Sequence, residues 1–257
     1  MVSLLQTNTK HQSQNLYVMR FKSIITIVLV SFLSTQLFAQ GPVRLSDDTT
    51  TKSFDYSGYS RLDVASDFNV NVSLGQGDAI TVNANSNLME YVEVYKEENT
   101  LFFRLKKNTW FKGKMVLDVT LSTDMITEYN ASSDAVITLN TPLKTDTAKI
   151  NCKGDAIFKG DLTVDTLVVN AKSDAQVKVN GSAKTMVANL KSDSEFKNKD
   201  FTVQDLTIAL NGDSMAVVTV TNTLDAQANG DSELRYAGNP SKVKQSARGD
   251  SDIKAIR

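Results

Sequence analysis

A chain of 257 residues, 41% hydrophobic and 22% charged, is long enough for one or two folded domains. Its formal net charge of −1 supplies no global field for nucleic acid or an acidic membrane surface, so no nucleic-acid partner is expected. Its single histidine, His11, lies in a polar N-terminal stretch, which excludes a His-based triad or a multi-His metal site from the folded region; its single cysteine, Cys152, cannot close an internal disulfide.

Residues 1–39 read as a signal peptide. "MRFKSIITIVLVSFLSTQLFAQ" opens at Met19 with Arg20 and Lys22, runs through an apolar core from Ile24 to Leu33 and closes on small Ala39 before Gln40. A transmembrane anchor is the competing reading, but the apolar run is short for a span and carries Ser, Thr and Gln. Residues 1–18 are polar and precede this unit, which makes Met19 a candidate true start. No cysteine stands directly after the apolar core to carry a lipid, and no integral span is expected after cleavage. The expected address is the periplasm, the outer surface or the extracellular space.

Residues 40–53 read as a linker, and 54–121 as a β segment of uneven rhythm. "RLDVASDFNVNVSLGQGDAITVNA" predicts two strands across "GQGD", "YVEVYKEENTLFFRLKK" a hairpin turning at "EENT", and "KMVLDVTL" a further strand. No stretch after residue 40 shows a helical period. The segment leads into, and is expected to cap, the region that begins at residue 122.

From residue 122 to 257 the chain repeats. "NASSDAVITL", "NCKGDAIFKG", "NAKSDAQVKV", "NLKSDSEFKN", "ALNGDSMAVV", "QANGDSELRY" and "SARGDSDIKA" align on Asp134, Asp155, Asp174, Asp193, Asp213, Asp231 and Asp250, at spacings of 21, 19, 19, 20, 18 and 19. An outlying copy, "VASDFNVNV", carries Asp67. Ser or Gly always precedes the aspartate, and Ala or Ser follows it in the seven C-terminal copies. Three residues before it stand Val64, Ala131, Cys152, Ala171, Leu190, Leu210, Ala228 and Ala247; three after it stand Val70, Ile137, Phe158, Val177, Phe196, Ala216, Leu234 and Ile253. Apolar residues at odd offsets predict strands with odd positions inward. A strand-patterned repeat near 19 residues predicts an all-β fold, a right-handed parallel β-solenoid (β-helix) in which each coil buries its inward face against the next. Leucine-rich repeats share the period range but require a Leu-rich consensus and an Asn ladder, and neither is expected here.

"FDYSGYSRLDVASDFNVNVSLGQGDAITVNA", the recurring "SSDA", "KGDA", "KSDA", "KSDS" and "NGDS", and the terminal "ANGDSELRYAGNPSKVKQSARGDSDI" carry a family likeness. Over roughly residues 54–256 the chain resembles the autotransporter-adhesin head GIN domain family of bacterial envelope proteins, especially of Bacteroidetes. Here Ser often replaces the family's Gly and Asp recurs with unusual regularity. The resemblance implies a β-helical fold, an adhesive role and no catalytic residues to carry over.

The aspartate ladder is the most regular chemical feature. One reading is a row of calcium sites at Asp134, Asp155, Asp174, Asp193, Asp213, Asp231 and Asp250, because carboxylates on neighbouring coils can share a hard cation. The other, adopted here, is a solvated turn ladder: each carboxylate bonds its own bend, and a basic row of Lys153, Lys172, Lys191 and Arg248 offsets the charge. No metal and no cofactor are therefore expected. "ARGDS" at 247–251 is accounted for by the repeat, since each of its residues matches a choice made in other coils. In "RLKKNTWFKGK", Trp110, Phe111 and Lys112 form a candidate ligand surface, because aromatics beside cations stack on sugars. Cys152 falls inward, as an inert small hydrophobe. A residue type repeated in every coil is architecture and not a catalytic constellation, so the expectation is a non-enzymatic exported binding or scaffold protein, an adhesin, with a surface glycan or protein as partner. The alternatives are a polysaccharide-active β-helix enzyme and a purely structural envelope component.

Overall fold

Nineteen is odd, so a 19-residue repeat cannot alternate inward and outward around a whole coil; the phase must slip once per turn. The computed structural model, which describes residues 41–256, places that slip away from the aspartate, and the signal-peptide reading of residues 1–39 lies outside it. Across Asp165–Thr166, Val164 and Leu167 are both buried, whereas the inward phase is the same on both sides of the Asp174 bend, with Ala171, Ala175 and Val177 buried and, of the inward positions between them, only Ser173 left partly open.

The strands are β1 (Val43–Arg44), β2 (Thr49–Phe54), β3 (Arg61–Ala65), β4 (Asn69–Leu74), β5 (Ala79–Asn85), β6 (Val92–Glu97), β7 (Thr100–Leu105), β8 (Phe111–Lys112), β9 (Leu117–Thr123), β10 (Glu128–Ser132) and β11 (Val136–Leu139). They continue with β12 (Leu143–Lys153), β13 (Ile157–Lys172), β14 (Gln176–Lys191), β15 (Glu195–Gly212), β16 (Met215–Gly230), β17 (Glu233–Ala237), β18 (Lys242–Gly249) and β19 (Asp252–Ala255). No α-helix occurs among the described residues. Segments before the aspartates stack in parallel in the order β7, β3, β10, β12, β13, β14, β15, β16, β18. Segments after them stack as β9, β4, β11, β13, β14, β15, β16, β17, β19. The result is a β-solenoid of about 7 turns.

The outlying copy takes its place in that stack. Strands β3 and β4 pair in register with β10 and β11, so Asp67 stands in the coil beside Asp134 although 67 residues separate them. The chain between β4 and β10 builds the end of the rod: β7 and β9 extend the two ladders, then β6 turns back antiparallel on β7, β5 on β9 and β2 on β5.

Departures from 19 residues are absorbed locally. The 21-residue copy carries its extra residues near Asn140–Pro142, because Val136 pairs with Ile157 while Leu143 pairs with Leu162. The 20- and 18-residue copies produce register shifts between Val177 and Gly181 and between Lys197 and Thr202, where a bulge takes up the mismatch. Gly181 is obligatory on its own account: its φ is +106° and a Cβ there would lie 2.0 Å from the Leu162 carbonyl oxygen.

Inward residues form one continuous core. Leu190 and Leu210 are directly paired and fully buried, and Phe158, Phe196 and Phe201 fill the same interior. Burying one such Leu side chain is worth about 1.5–3 kcal/mol. In the last coil, however, β18 is exposed along its whole length, and Val243 retains 46% exposure although it occupies an inward position.

Candidate functional site

The aspartate bend has a common backbone. Ser66, Ser133, Gly154, Ser173, Ser192, Gly212, Gly230 and Gly249, the residues just before the eight aspartates, all have φ between 60 and 86°. Only Gly takes this left-handed conformation without cost, and a short polar residue is the next best choice. The residue after the aspartate turns inward at the corner. Ala135, Ala156, Ala175, Ser194, Ser214 and Ser232 are buried there.

The expected turn-holding role of the aspartate is not what the structure shows. All eight aspartates are exposed or half-exposed, and none makes a side-chain hydrogen bond or ion pair among the described residues. The following serine does the work. Ser194 Oγ accepts the Lys191 N–H at 2.9 Å and donates to the Ala171 carbonyl of the preceding coil at 3.2 Å. Ser214 Oγ repeats this with Asn211 N–H at 3.1 Å and the Leu190 carbonyl at 3.4 Å. Ser251 Oγ does so with Arg248 N–H at 3.0 Å and the Ala228 carbonyl at 3.0 Å. The αL backbone swings each carboxylate out of reach of its own bend, while the inward hydroxyl meets groups that need a partner. The "ARGDS" string therefore occupies an ordinary corner, with Gly249 left-handed and Ser251 bonding back. Asp67 has its carboxyl pushed upward by desolvation and then by the charge of Asp134 beside it. Among the described residues no three His, Cys, Asp or Glu side chains converge as a metal cage. Asp134, Asp155, Asp174, Asp193, Asp213, Asp231 and Asp250 stand one per coil.

The predicted aromatic surface is divided. Trp110 is 78% exposed, Lys112 is exposed, and Phe111 is half-buried with its ring edge-on to Tyr91 at 5.3 Å. The Lys112 carbonyl accepts the Leu45 N–H at 2.9 Å, which anchors the strand while its tip carries Trp110 outward. Cys152 is buried, and burial pushes its thiol up to about 12, so its thiolate is scarce at neutral pH.

A larger feature lies on the outer face of the sheet that precedes the aspartates. Four positions before the aspartate, Asn130, Asn151, Asn170 and Asn189 stand in register on successive coils. Their amides bond head to tail: Asn151 Nδ2 to Asn130 Oδ1 at 2.7 Å, Asn170 Nδ2 to Asn151 Oδ1 at 2.9 Å, and Asn189 Nδ2 to Asn170 Oδ1 at 3.2 Å. An Asn ladder is thus present, contrary to expectation, on the outward face. Every aligned copy from Asp134 to Asp193 begins with that Asn, and the signal passes for ordinary outward polarity. Beside it, two positions before the aspartate, run Lys153, Lys172 and Lys191, also in register. The two rows line a groove of about 660 Å³ that ends at Asp63 and Arg104. There Arg104 bonds the Asp63 carboxylate at 2.7 Å and lies over the Phe102 ring, which stacks on Tyr95 at 4.9 Å. On the other side of the Asn row the outward residues are Val168 and Val187, the latter 37% exposed.

The fold is that of a parallel β-solenoid with one repeated corner and an outer groove lined by Asn and Lys rows. The sequence profile of the family described as "Putative auto-transporter adhesin, head GIN domain" matches residues 58–240, and the chain belongs to that family. Solved structures share the fold. A putative adhesin from Bacteroides fragilis superposes with a TM-score of 0.76 at 18% identity, over 83% of this chain and 100% of its own. A putative adhesin from Parabacteroides merdae gives 0.66 at 19%, over 84% and 99%. A putative lipid binding protein from Parabacteroides distasonis gives 0.68 at 18%, over 84% and 100%. Among curated proteins, none matches this chain. No helix among the described residues is long and apolar enough to cross a membrane.

Proposed function

We propose that this chain is an exported, non-catalytic binding protein of the bacterial cell surface or envelope, an adhesin that presents the outer faces of a rigid solenoid to surface glycans or proteins. One observation carries the reading: along the groove an Asn–Lys pair recurs in register on three successive coils, Asn151 with Lys153, Asn170 with Lys172 and Asn189 with Lys191. Catalysis needs one unlike constellation of groups, whereas repetition suits a long, multiply contacted ligand. Family membership and the export signature read from residues 19–40 support the same role. The test has two arms. The exported protein should begin at or near Gln40 by mass spectrometry. It should also bind at least one surface glycan or protein in a saturable manner without turning it over. Release of cleaved sugar, or absence of any binding across such a screen, would refute the reading.

A further inference from the structure

The geometry points to a specific ligand for the Asn–Lys groove: a linear anionic polysaccharide lying along the rod axis, its acidic groups on Lys153, Lys172 and Lys191 and its hydroxyls on the Asn ladder. This deepens the binding role proposed above and rests on it.

Four observations lead there. First, the charge is available. Lys153, Lys172 and Lys191 are exposed and have no carboxylate within 4 Å among the described residues, whereas Lys149, Lys184, Lys197 and Lys244 are each paired. The left-handed residue after each of the three lysines carries the neighbouring aspartate round the corner, so the acidic row does not neutralise the basic one by contact. Second, the floor donates. Each Asn amide has two N–H groups, and the ladder uses one of them in Asn170 and Asn189, which leaves a donor on each for an incoming oxygen. Free cations and free donors together select a ligand rich in acceptors and negative charge.

Third, the site repeats. Rungs lie about 4.8 Å apart, so the five from Asp63 to Asn189 extend about 19 Å, and the three that carry an Asn–Lys pair about 10 Å. A sugar ring in a linear chain is about as long as one rung step, so successive rings can meet successive Asn–Lys pairs. A small molecule would use one pair and gain nothing from the others. Fourth, the groove offers sugar-like surfaces at its margins. Val168 and Val187 flank the Asn row and can take the C–H face of a ring; the Tyr95–Phe102 stack stands at one end of the same row. The groove is open to solvent, and the Asn amides and lysine ammonium groups that line it favour a hydrated, charged chain over a lipid tail. The comparable cleft on the other sheet is smaller, about 380 Å³; it contains Asp161, and its Lys197 is held by Glu195 at 2.7 Å.

The experiment is affinity electrophoresis and calorimetry of the exported chain with polygalacturonate and chondroitin sulfate as anionic probes, and dextran as the neutral one. The parent protein should bind at least one anionic probe, with affinity falling as salt rises, and should ignore dextran. The Lys153→Gln/Lys172→Gln/Lys191→Gln variant should lose at least about tenfold in affinity, the loss expected from removing even one charge-assisted hydrogen bond. The charge-matched Lys159→Gln/Lys178→Gln/Lys197→Gln variant should retain the parent affinity to within about twofold, because it removes the same charge from the other sheet. All substituted side chains are exposed, and unchanged melting curves confirm the fold. Equal loss in both variants, or equally tight capture of single-stranded DNA, would reduce the effect to non-specific polyanion binding and overturn the proposal. Saturable binding of a neutral glycan or a protein, undiminished in the first variant, would overturn it while leaving the binding role standing. Failure to bind any surface molecule would remove both.

Discussion

The central coils and the last coil are written in the same repeat yet live in different environments. Leu224 and Val243 are register partners at the same inward position, but Leu224 is fully buried and Val243 is 46% exposed. Ser214 is buried at its corner, whereas Ser251 is only partly so, with the same pair of bonds. Pointing inward is a property of one coil. Burial needs coils on both sides, because the interior of a solenoid is closed by stacking and not by any single turn.

The largest effects should therefore separate the two regions. Leu210→Ala or Leu224→Ala should cost about 2–5 kcal/mol, from lost transfer energy and the cavity left behind. Val243→Ala should cost under about 1 kcal/mol because water already reaches the side chain. Urea denaturation of the three variants checks this, and hydrogen exchange should show the amides of β18 opening before those of β14. Equal costs at Leu224 and Val243 would mean that the last coil is covered as fully as the others.

Next in size are the corner serines. Ser214→Ala removes an acceptor for the Asn211 N–H and should cost about 0.5–1.5 kcal/mol, read from the same urea curves. Ser251→Ala should fall at or below the low end, since solvent replaces its bonds. The three coils that carry Ala135, Ala156 and Ala175 already fold without the hydroxyl, which limits the cost.

A smaller effect belongs to the other end of the rod. The Asp67 carboxyl is raised in the folded protein, so the folded state binds a proton more tightly than the unfolded one. Its contribution therefore becomes less favourable as pH rises from the ordinary carboxylate range through the raised value. Asp67→Asn should raise the melting temperature slightly at pH 7, by no more than about 0.5 kcal/mol of stability for so exposed a group. The gain should vanish below the ordinary carboxylate pKa. A stabilisation that persists there would show that charge is not its cause.

The smallest effect is expected at Arg248. Arg248→Lys restores the commoner residue of its row and should change the denaturation midpoint by less than about 0.5 kcal/mol, with any cell adhesion unaltered. Loss of adhesion with an unchanged midpoint would give "ARGDS" a function of its own.

The coil architecture was legible because it is local. The spacing of the aspartates, the odd offsets of Leu190, Leu210 and Phe196, and the Ser or Gly before each bend are all readable within one repeat, and the structure has them stacked, buried and left-handed respectively. The division of labour at the corner is hidden for a local reason as well. Asp and Ser both favour turns, and only the sign of φ at the residue between Lys191 and Asp193 decides which of the two side chains reaches back. The groove was less legible. Asn130, Asn151, Asn170 and Asn189 look like four independent outward polar residues until the coils are superposed and each amide meets the next.

By itself the sequence determined the length of the coil, which residues of each point inward, and that one corner recurs, since periodicity records what a residue does within its own turn. Only the tertiary structure decided what each turn meets. It set Asp67 beside Asp134 across an insertion that forms the end of the rod, left Val243 open to water, and joined the Asn and Lys rows to the Arg104–Asp63 pair as one groove. The physical reason is that neighbours in a stacked solenoid are set by register between coils. Closing even a long excursion between two coils costs little more than closing a short one, so spacing along the chain does not record which rows will touch.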